Sequence, residues 1–156
     1  MGFYDTNKGF TLFEILLVTG IGIILGALVF VSITKLNAEQ DLELAASSVV
    51  SFVRGAQQRA ISQESNTTWG VWFNNASSGP DSYMLFSGLP FGSATSTALL
   101  PVAVEFSDPS SGNGKFVLFQ NIKGIPTTTV SVTMRLISDV TKTRTITIST
   151  NGSISY

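Results

Sequence analysis

Few side chains of this 156-residue chain could carry out covalent chemistry, because the sequence contains no histidine and no cysteine. Their absence removes thiol nucleophiles, disulfides, imidazole and thiolate metal sites, and the side chain that most often transfers protons near neutral pH. Serines are abundant, but no motif distinguishes one as a nucleophile, and there is no phosphate-binding GxxxxGK[ST] sequence. We therefore expect a protein that is not an enzyme and uses no cofactor or metal.

The carboxylates beyond residue 36 are spread over the chain rather than grouped in one motif. They are Glu39, Asp41, Glu43, Glu64, Asp81, Glu105, Asp108 and Asp139. Asp81 and Asp108 fall in turn-forming segments, where Asp is common for backbone reasons, and a calcium site there is the less favoured alternative. The formal net charge of −1 predicts no whole-chain attraction to nucleic acid or anionic lipid.

A basic segment near the C-terminus raises DNA contact as an alternative. Between residues 115 and 144, five basic residues stand against the single acid Asp139. Arg135, Lys142 and Arg144 lie on or beside two strands predicted to be neighbours, where they could contact phosphates. The favoured interpretation is a charged strand edge that resists pairing with other chains.

One acidic residue, Glu14, borders an apolar run with no charged side chain, residues 15–34. As a helix this run is about 30 Å long, the thickness of the hydrocarbon core of a bilayer. Placing a carboxylate at mid-bilayer costs up to about 3 kcal/mol of free energy. Glu14 is therefore a candidate functional residue, with a partner that offsets this cost. The alternative is a carboxylate at the headgroup level, favoured by the helix dipole. The residue types alone leave both open.

The apolar run predicts a transmembrane helix that is retained after translocation. A single domain of this size has little interior in which to bury a helix that is apolar on every side. The run is longer than a secretory signal core, and no small-residue cleavage site follows it. Lys8 before the run and Lys35 after it give the positive-inside rule only a weak preference for a cytoplasmic N-terminus.

Residues 8–18 read KGFTLFEILLV, in which a short leader ends at Gly9 and the aromatic Phe10 follows. Glu14 is then the fifth residue of the mature chain. This segment resembles the N-terminal signature of type IV pilins and pseudopilins. The resemblance implies that a prepilin peptidase cuts between Gly9 and Phe10 and methylates the new amine of Phe10. It also implies that the Glu14 carboxylate pairs with the Phe10 amine of a neighbouring subunit during assembly.

The same resemblance implies where the protein acts and what it contacts. The expected partners are the prepilin peptidase, other pilin or pseudopilin subunits and an inner-membrane assembly platform. Before assembly the chain would span a bacterial-type cytoplasmic membrane once, with its head outside the cytoplasm. Val31 occupies the position where many major pilins carry a helix-bending proline, and this favours a minor pilin or pseudopilin.

The chain beyond Lys35 predicts a stem helix followed by a β-rich head. Apolar residues recur at three- and four-residue intervals from about 37 to 63, the pattern of one buried helix face. These residues are Leu42, Ala45, Ala46, Val49, Phe52, Val53, Ala56 and Ala60. Arg54, Gln57, Gln58 and Arg59 fall mostly on the other face, and we assign them no role.

From residue 67 the residues favour strands separated by turns, which predicts an antiparallel meander. The expected strands are 68–73, 82–86, 102–106, 115–120, 129–137, 143–149 and 153–156. Asn151-Gly152 between Ile148 and Ile154 is a two-residue hairpin signal. Residues 44–70, with 144–148 and 151–154, resemble the GspH/FimT group of minor pilins and pseudopilins.

The predicted fold class is α+β, a long N-terminal hydrophobic helix packed on an antiparallel β-sheet head. Its parts are a prepilin leader, residues 1–9, a transmembrane and assembly helix, 10–36, and a stem helix with the globular head, 37–156. The predicted function is a structural minor pilin or pseudopilin subunit of a type IV pilus or type II secretion-like pseudopilus. The alternatives are a DNA-binding minor pilin acting in DNA uptake and, if the leader is not cut, a single-pass membrane protein with an unrelated β head.

Overall fold

The computed structural model describes residues 10–88 and 94–156, and for residues 28–37 it describes the backbone alone. The predicted leader with Gly9 lies outside these residues. The chain divides between Asn37 and Ala38 into two units, and the second extends to Tyr156. Within the part described, no helix has both the length and the hydropathy that crossing a membrane requires.

Helix α1, Leu12–Ile61, begins at a side-chain cap. The Thr11 hydroxyl oxygen accepts a hydrogen bond from the backbone N–H of Glu14 at 3.2 Å, which satisfies one of the free donors of the first turn. The predicted stem helix is confirmed and ends two residues before the expected position 63. A short 3₁₀ turn, Glu64–Asn66, follows it.

The buried face of α1 in the head is the predicted apolar stripe. Its fully buried residues are Leu42, Ala45, Ala46, Val49, Val50, Val53, Ala56 and Ala60. Phe52, expected in this stripe, lies half-buried at its margin, and Val50 takes a buried place. These side chains share one hydrophobic core with the inner faces of the strands.

In the part of the chain that the structure describes, eight strands form two antiparallel sheets, so the fold class is α+β as predicted. The strands are β1 Trp69–Asn74, β2 Ser82–Ser87, β3 Ala94–Leu99, β4 Val104–Asp108, β5 Gly114–Phe119, β6 Val130–Leu136, β7 Thr143–Ile148 and β8 Ile154–Ser155. Sheet A has the order β3-β2-β1-β5, and sheet B has the order β4-β6-β7-β8. Phe73 of sheet A meets Phe106 of sheet B edge to face, with ring centroids 6.1 Å apart.

The predicted single meander is wrong, because the chain crosses between the two sheets. β5 pairs with β1 rather than with β4, whereas β4 pairs with β6. Strand propensity is a local property, but these pairings join segments far apart in sequence, so the order was not readable from turn signals.

Two local expectations also differ from the structure. β3 was not predicted, because its small and hydroxyl-bearing residues are mostly exposed and show no alternation of apolar and polar types. The hairpin at Asn151-Gly152 is present, but its loop has three residues, since Ser149 N–H donates to the Ser153 carbonyl at 2.9 Å. Gly152 has a φ of +85°, the left-handed position that such a loop requires, and its N–H donates to the Ser149 carbonyl at 2.8 Å.

Candidate functional site

The two predicted assembly residues, Phe10 and Glu14, lie at the beginning of α1. Phe10 is 79% exposed just before the cap residue Thr11, and Glu14 is exposed in the first helical turn. Gly9, the predicted cleavage residue, lies outside the described residues. The cap fixes where the helix starts, so it places the Glu14 carboxylate at the end where the helix dipole favours negative charge.

Glu14 is an acid among exposed apolar side chains. Leu12, Phe13 and Ile15 beside it are each more than half exposed. Among the described residues, the ion pairs involve other carboxylates and leave Glu14 without a basic partner. A cation supplied from elsewhere could therefore pair with this carboxylate.

The first turns of α1 expose many large apolar side chains. The exposed large side chains are Phe10, Leu12, Phe13, Ile15, Leu16, Leu17, Val18, Ile21, Ile23, Ile24 and Leu25. The Thr19 hydroxyl donates to the carbonyl of Ile15 at 2.9 Å, so this polar group is satisfied within the helix. A surface of this kind requires an apolar partner, either lipid or other helices.

The three residues predicted as a DNA contact each pair with a carboxylate. Arg135 Nε lies 2.7 Å from Glu105 Oε1. Lys142 Nζ lies 3.0 Å from Glu39, and Arg144 Nε lies 2.9 Å from Glu43. The acid partners of Lys142 and Arg144 come from α1, about a hundred positions earlier, which explains why a local charge count missed them.

The three basic residues do not form one patch. Lys142 and Arg144 lie together against α1, and Arg144 stands opposite the buried Met134 in the β6–β7 register. Arg135 follows Met134 in the same strand and therefore points to the other face of sheet B. The proposed DNA contact stays a prediction, and the geometry gives it no support.

Asp81, which lies in a predicted turn, and Asn75 hold the loop between β1 and β2 on sheet B. Asp81 is 5% exposed, and its oxygens accept hydrogen bonds from the N–H groups of Ala76 at 2.8 Å and Phe106 at 2.6 Å. Asn75 donates to the carbonyls of Phe106 and Pro109, each at 2.7 Å. These contacts give Asp81 a structural role and lend no support to calcium binding.

Gln57, to which no role was assigned, joins two distant loops to the end of α1. Its side-chain amide donates to the carbonyl of Gly124 at 2.8 Å and to that of Gly152 at 3.0 Å. Gly124 has a φ of +61°, and a Cβ at this position would lie 2.5 Å from the Ile61 side chain. Only glycine allows this loop to approach the helix so closely.

The comparisons with known proteins identify the fold. No protein-family model and no curated protein matches the sequence. The type IV minor pilin FimU of Pseudomonas aeruginosa, solved in two crystal forms, is 15% identical, with TM-scores of 0.54 and 0.56. The matches cover 73% and 74% of this chain and 90% and 87% of the FimU chains.

A second similar structure comes from a secretion machine. The minor pseudopilin EpsH of the type 2 secretion system of Vibrio cholerae is 12% identical, with a TM-score of 0.52. The match covers 74% of this chain and 94% of the EpsH chain. The chain therefore has the fold of type IV pilins and pseudopilins.

Proposed function

We propose that the protein is a structural minor pilin or pseudopilin subunit, assembled into a type IV pilus or a type II secretion-like pseudopilus. The observation that carries the proposal is Glu14, an exposed carboxylate in the capped first turn of an apolar helix that leads into a head of pilin fold. The fold likeness to FimU and EpsH supports this role. The sequence around Gly9 supplies the processing signal.

In this proposal a prepilin peptidase cuts between Gly9 and Phe10 and methylates the Phe10 amine. The new ammonium group is the N-terminus of the mature chain and belongs to Phe10, four residues before Glu14. A subunit entering a filament would bring its own amine to the Glu14 carboxylate of its neighbour. Apolar surroundings strengthen that attraction, which offsets the cost of removing both charges from water.

The exposed apolar side chains between Phe10 and Leu25 would first contact lipid and later the helices of other subunits. The protein would thus be held in the cytoplasmic membrane by a single pass, residues 10–36, with its head outside the cytoplasm. Its partners would be the peptidase, the other subunits and the inner-membrane assembly platform.

The test is to coexpress the full chain with a prepilin peptidase and read its N-terminus by mass spectrometry. Wild type is compared with a Gly9→Val variant, because a branched side chain should block cleavage. We expect a mature chain that begins at methylated Phe10 in wild type and an uncut Met1 terminus in the variant. An uncut wild type, under conditions that process a control prepilin, would refute the proposal.

The alternative, a DNA-binding minor pilin acting in uptake, predicts salt-dependent DNA binding by the full chain. Replacing Arg135, Lys142 and Arg144 by glutamine would abolish that binding. Because each of these side chains already pairs with a carboxylate, we expect no measurable binding by the wild type. Binding that disappears in the triple variant would reinstate the alternative.

A further inference from the structure

Two turns of sheet B expose aliphatic side chains to solvent. The turn between β6 and β7 carries Ile137, which is 54% exposed, and Val140, which is 57% exposed. The turn before β4 carries Val102, which at 90% is the most exposed large apolar side chain of the described chain. Scattered aliphatic residues are ordinary on a protein surface, so what matters is whether these three lie together.

A backbone hydrogen bond holds the two turns side by side. The N–H of Ile137 donates to the carbonyl of Ala103 at 3.0 Å, which joins the residue after β6 to the residue before β4. Val102 and Ile137 accordingly line the same depression in the surface of the head. Val140 lies three residues after Ile137 in the same turn. Val102, Ile137 and Val140 therefore form one exposed apolar group, the turn patch.

Ion pairs hold the turn patch beside the part of α1 that enters the head. Lys142 follows Val140 by two residues, and its Nζ lies 3.0 Å from Glu39 Oε1 of the helix. A second pair joins the same two elements, with Arg144 Nε 2.9 Å from Glu43 Oε2. The turn patch therefore lies at the end of the head where α1 enters, close to Glu39.

Glu39 is also close in sequence to the apolar run. The uncharged run ends at Thr34, five positions before Glu39. Even a fully extended chain of that length spans no more than about 18 Å. In the proposed function the run crosses the membrane, so the turn patch is tethered close to the surface of the bilayer.

The basic residues beside the turn patch are already paired with carboxylates. Arg135 lines the same depression, and its Nε lies 2.7 Å from Glu105 Oε1. Lys142 pairs with a carboxylate of α1. The carboxylate of Asp139 accepts hydrogen bonds from the N–H and the hydroxyl of Thr141 at 3.1 and 2.6 Å. A contact made here would therefore depend on the aliphatic side chains rather than on attraction to anionic headgroups.

We propose that the turn patch inserts into the interfacial region of the membrane that anchors the chain. Insertion removes the three aliphatic side chains from water, which is favourable. This proposal rests on the proposed function, because it needs residues 10–36 in the membrane. A head held at two places has fewer orientations than a head held by its helix alone. The turn patch has to leave the lipid when the subunit enters a filament.

Lipid is the expected occupant rather than another subunit. The tether keeps lipid within reach of the turn patch at all times, which gives lipid a high effective concentration there. Three aliphatic side chains are also few for a stable protein interface, which buries about 800 Å² on each partner.

The experiment measures lipid contact at single labelled sites of the full chain in phosphatidylcholine vesicles. The chain has no cysteine, so Val140→Cys and Val102→Cys each give one attachment site for a fluorophore. Thr150→Cys, in the exposed turn at the other end of β7, is the control. We expect lipids brominated on their acyl chains to quench positions 140 and 102 at least about threefold more than position 150. Quenching no stronger than at position 150 overturns the proposal.

A charge substitution separates insertion of the turn patch from attraction of the label itself to lipid. With the label at Val102→Cys, we expect Val140→Asp to lower quenching at least about threefold, because a charge resists removal from water. Thr150→Asp adds the same charge in the distant turn and should leave quenching unchanged. Both substitutions change exposed turn residues, so the variants should fold. Equal effects of the two aspartates overturn the proposal.

Two further measurements test what the turn patch recognises. We expect the same contrast in an equal mixture of phosphatidylcholine and phosphatidylglycerol, because the contact is apolar. A contrast that needs the anionic lipid overturns the proposal. Shielding of positions 140 and 102 that grows with the ratio of protein to lipid, without quenching by brominated lipid, also overturns it, since the occupant is then another subunit.

The result is separable from the proposed function. Flotation with the vesicles reports anchoring by residues 10–36, and mass spectrometry of the N-terminus reports cleavage after Gly9. A chain that floats and is cleaved, but is not quenched at position 140, overturns the turn patch alone. A chain that floats and is quenched there, but is not cleaved, refutes the filament function and supports the turn patch. A chain that does not float refutes the anchor and the turn patch together.

Discussion

Asp81 shows what a single buried carboxylate does in the head. Its two oxygens accept backbone N–H groups from Ala76 and Phe106, and so connect the loop after β1 to β4 of the other sheet. The turn residues around Asp81 were evident from sequence, but its partners were not. Hydrogen bonds to a charged acceptor are stronger than neutral ones, so this residue should matter more than its loop position indicates.

Asp81→Asn tests that role. The amide group would face one of the two backbone donors, so at least one hydrogen bond is lost and a buried donor is left unpaired. We expect the free energy of unfolding to fall by about 2 kcal/mol, measured by urea denaturation. Glu64→Gln, which removes an exposed ion pair with Arg59, should cost less than about 1 kcal/mol. Equal losses in the two variants would contradict the assignment.

Tyr83 predicts a specific loss of stability at high pH. Burial raises the pKa of Tyr83 above the ordinary value near 10, so the folded state keeps its proton when the unfolded state has lost it. Stability should therefore be unaffected by this group below about pH 10 and fall as the pH rises further. Urea midpoints measured from pH 8 to 11 should decline less in Tyr83→Phe than in wild type. Tyr156→Phe should keep the full decline.

At the scale of elements, the C-terminal end of α1 depends on long-range contacts. Gln57 lies on the face of α1 that sequence reasoning assigned to solvent, yet its amide donates to two loops that are 67 and 95 residues away. The loop at residues 120–125 also uses the helix end, because Ile122 N–H donates to the carbonyl of Ala60 at 3.0 Å.

Substituting two adjacent glutamines separates the effect of the Gln57 hydrogen bonds on stability from the effect of helix propensity. Gln57→Leu leaves the carbonyls of Gly124 and Gly152 without their donor, and we expect a loss of about 2 kcal/mol in unfolding free energy. Gln58→Leu changes an exposed neighbour and should stay within about 0.5 kcal/mol of wild type. Thermal or urea unfolding of both variants measures the difference. A Gln57 variant as stable as the Gln58 variant would show that the loops hold without these hydrogen bonds.

The elements that sequence predicted well are those with a strong local pattern. The buried stripe of α1 follows the helical period, and seven strands were placed within two residues of their observed ends. β3 was missed because its strand conformation comes from pairing with β2 rather than from its own residues. The ion pairs of Lys142 and Arg144 were missed for the same reason, since their partners lie on a distant helix.

At the scale of the whole molecule, assembly should depend on the one acid of the apolar segment. Glu14→Gln keeps the size and hydrogen-bonding capacity of the side chain but removes the charge that would attract a neighbouring amine. We expect leader cleavage to be unchanged and the fraction of protein recovered in sheared filaments to fall at least about tenfold. Glu39→Gln, in the head, is the matched control and should assemble normally. Normal assembly of the Glu14 variant would refute its proposed pairing.

The crossing of the chain between the sheets also determines how the head can fold. β4 belongs to sheet B, although it lies in sequence between β3 and β5 of sheet A, so neither sheet derives from one continuous segment. One edge of β1 stays unpaired until β5 is available, because β1 pairs with β5 along its length, for example Trp69 with Phe119. Such non-local pairing slows folding and makes it cooperative. A nascent head therefore cannot complete sheet A until β4, a strand of sheet B, has already been made, and a single protease cut between β4 and β5 would separate strands of both sheets.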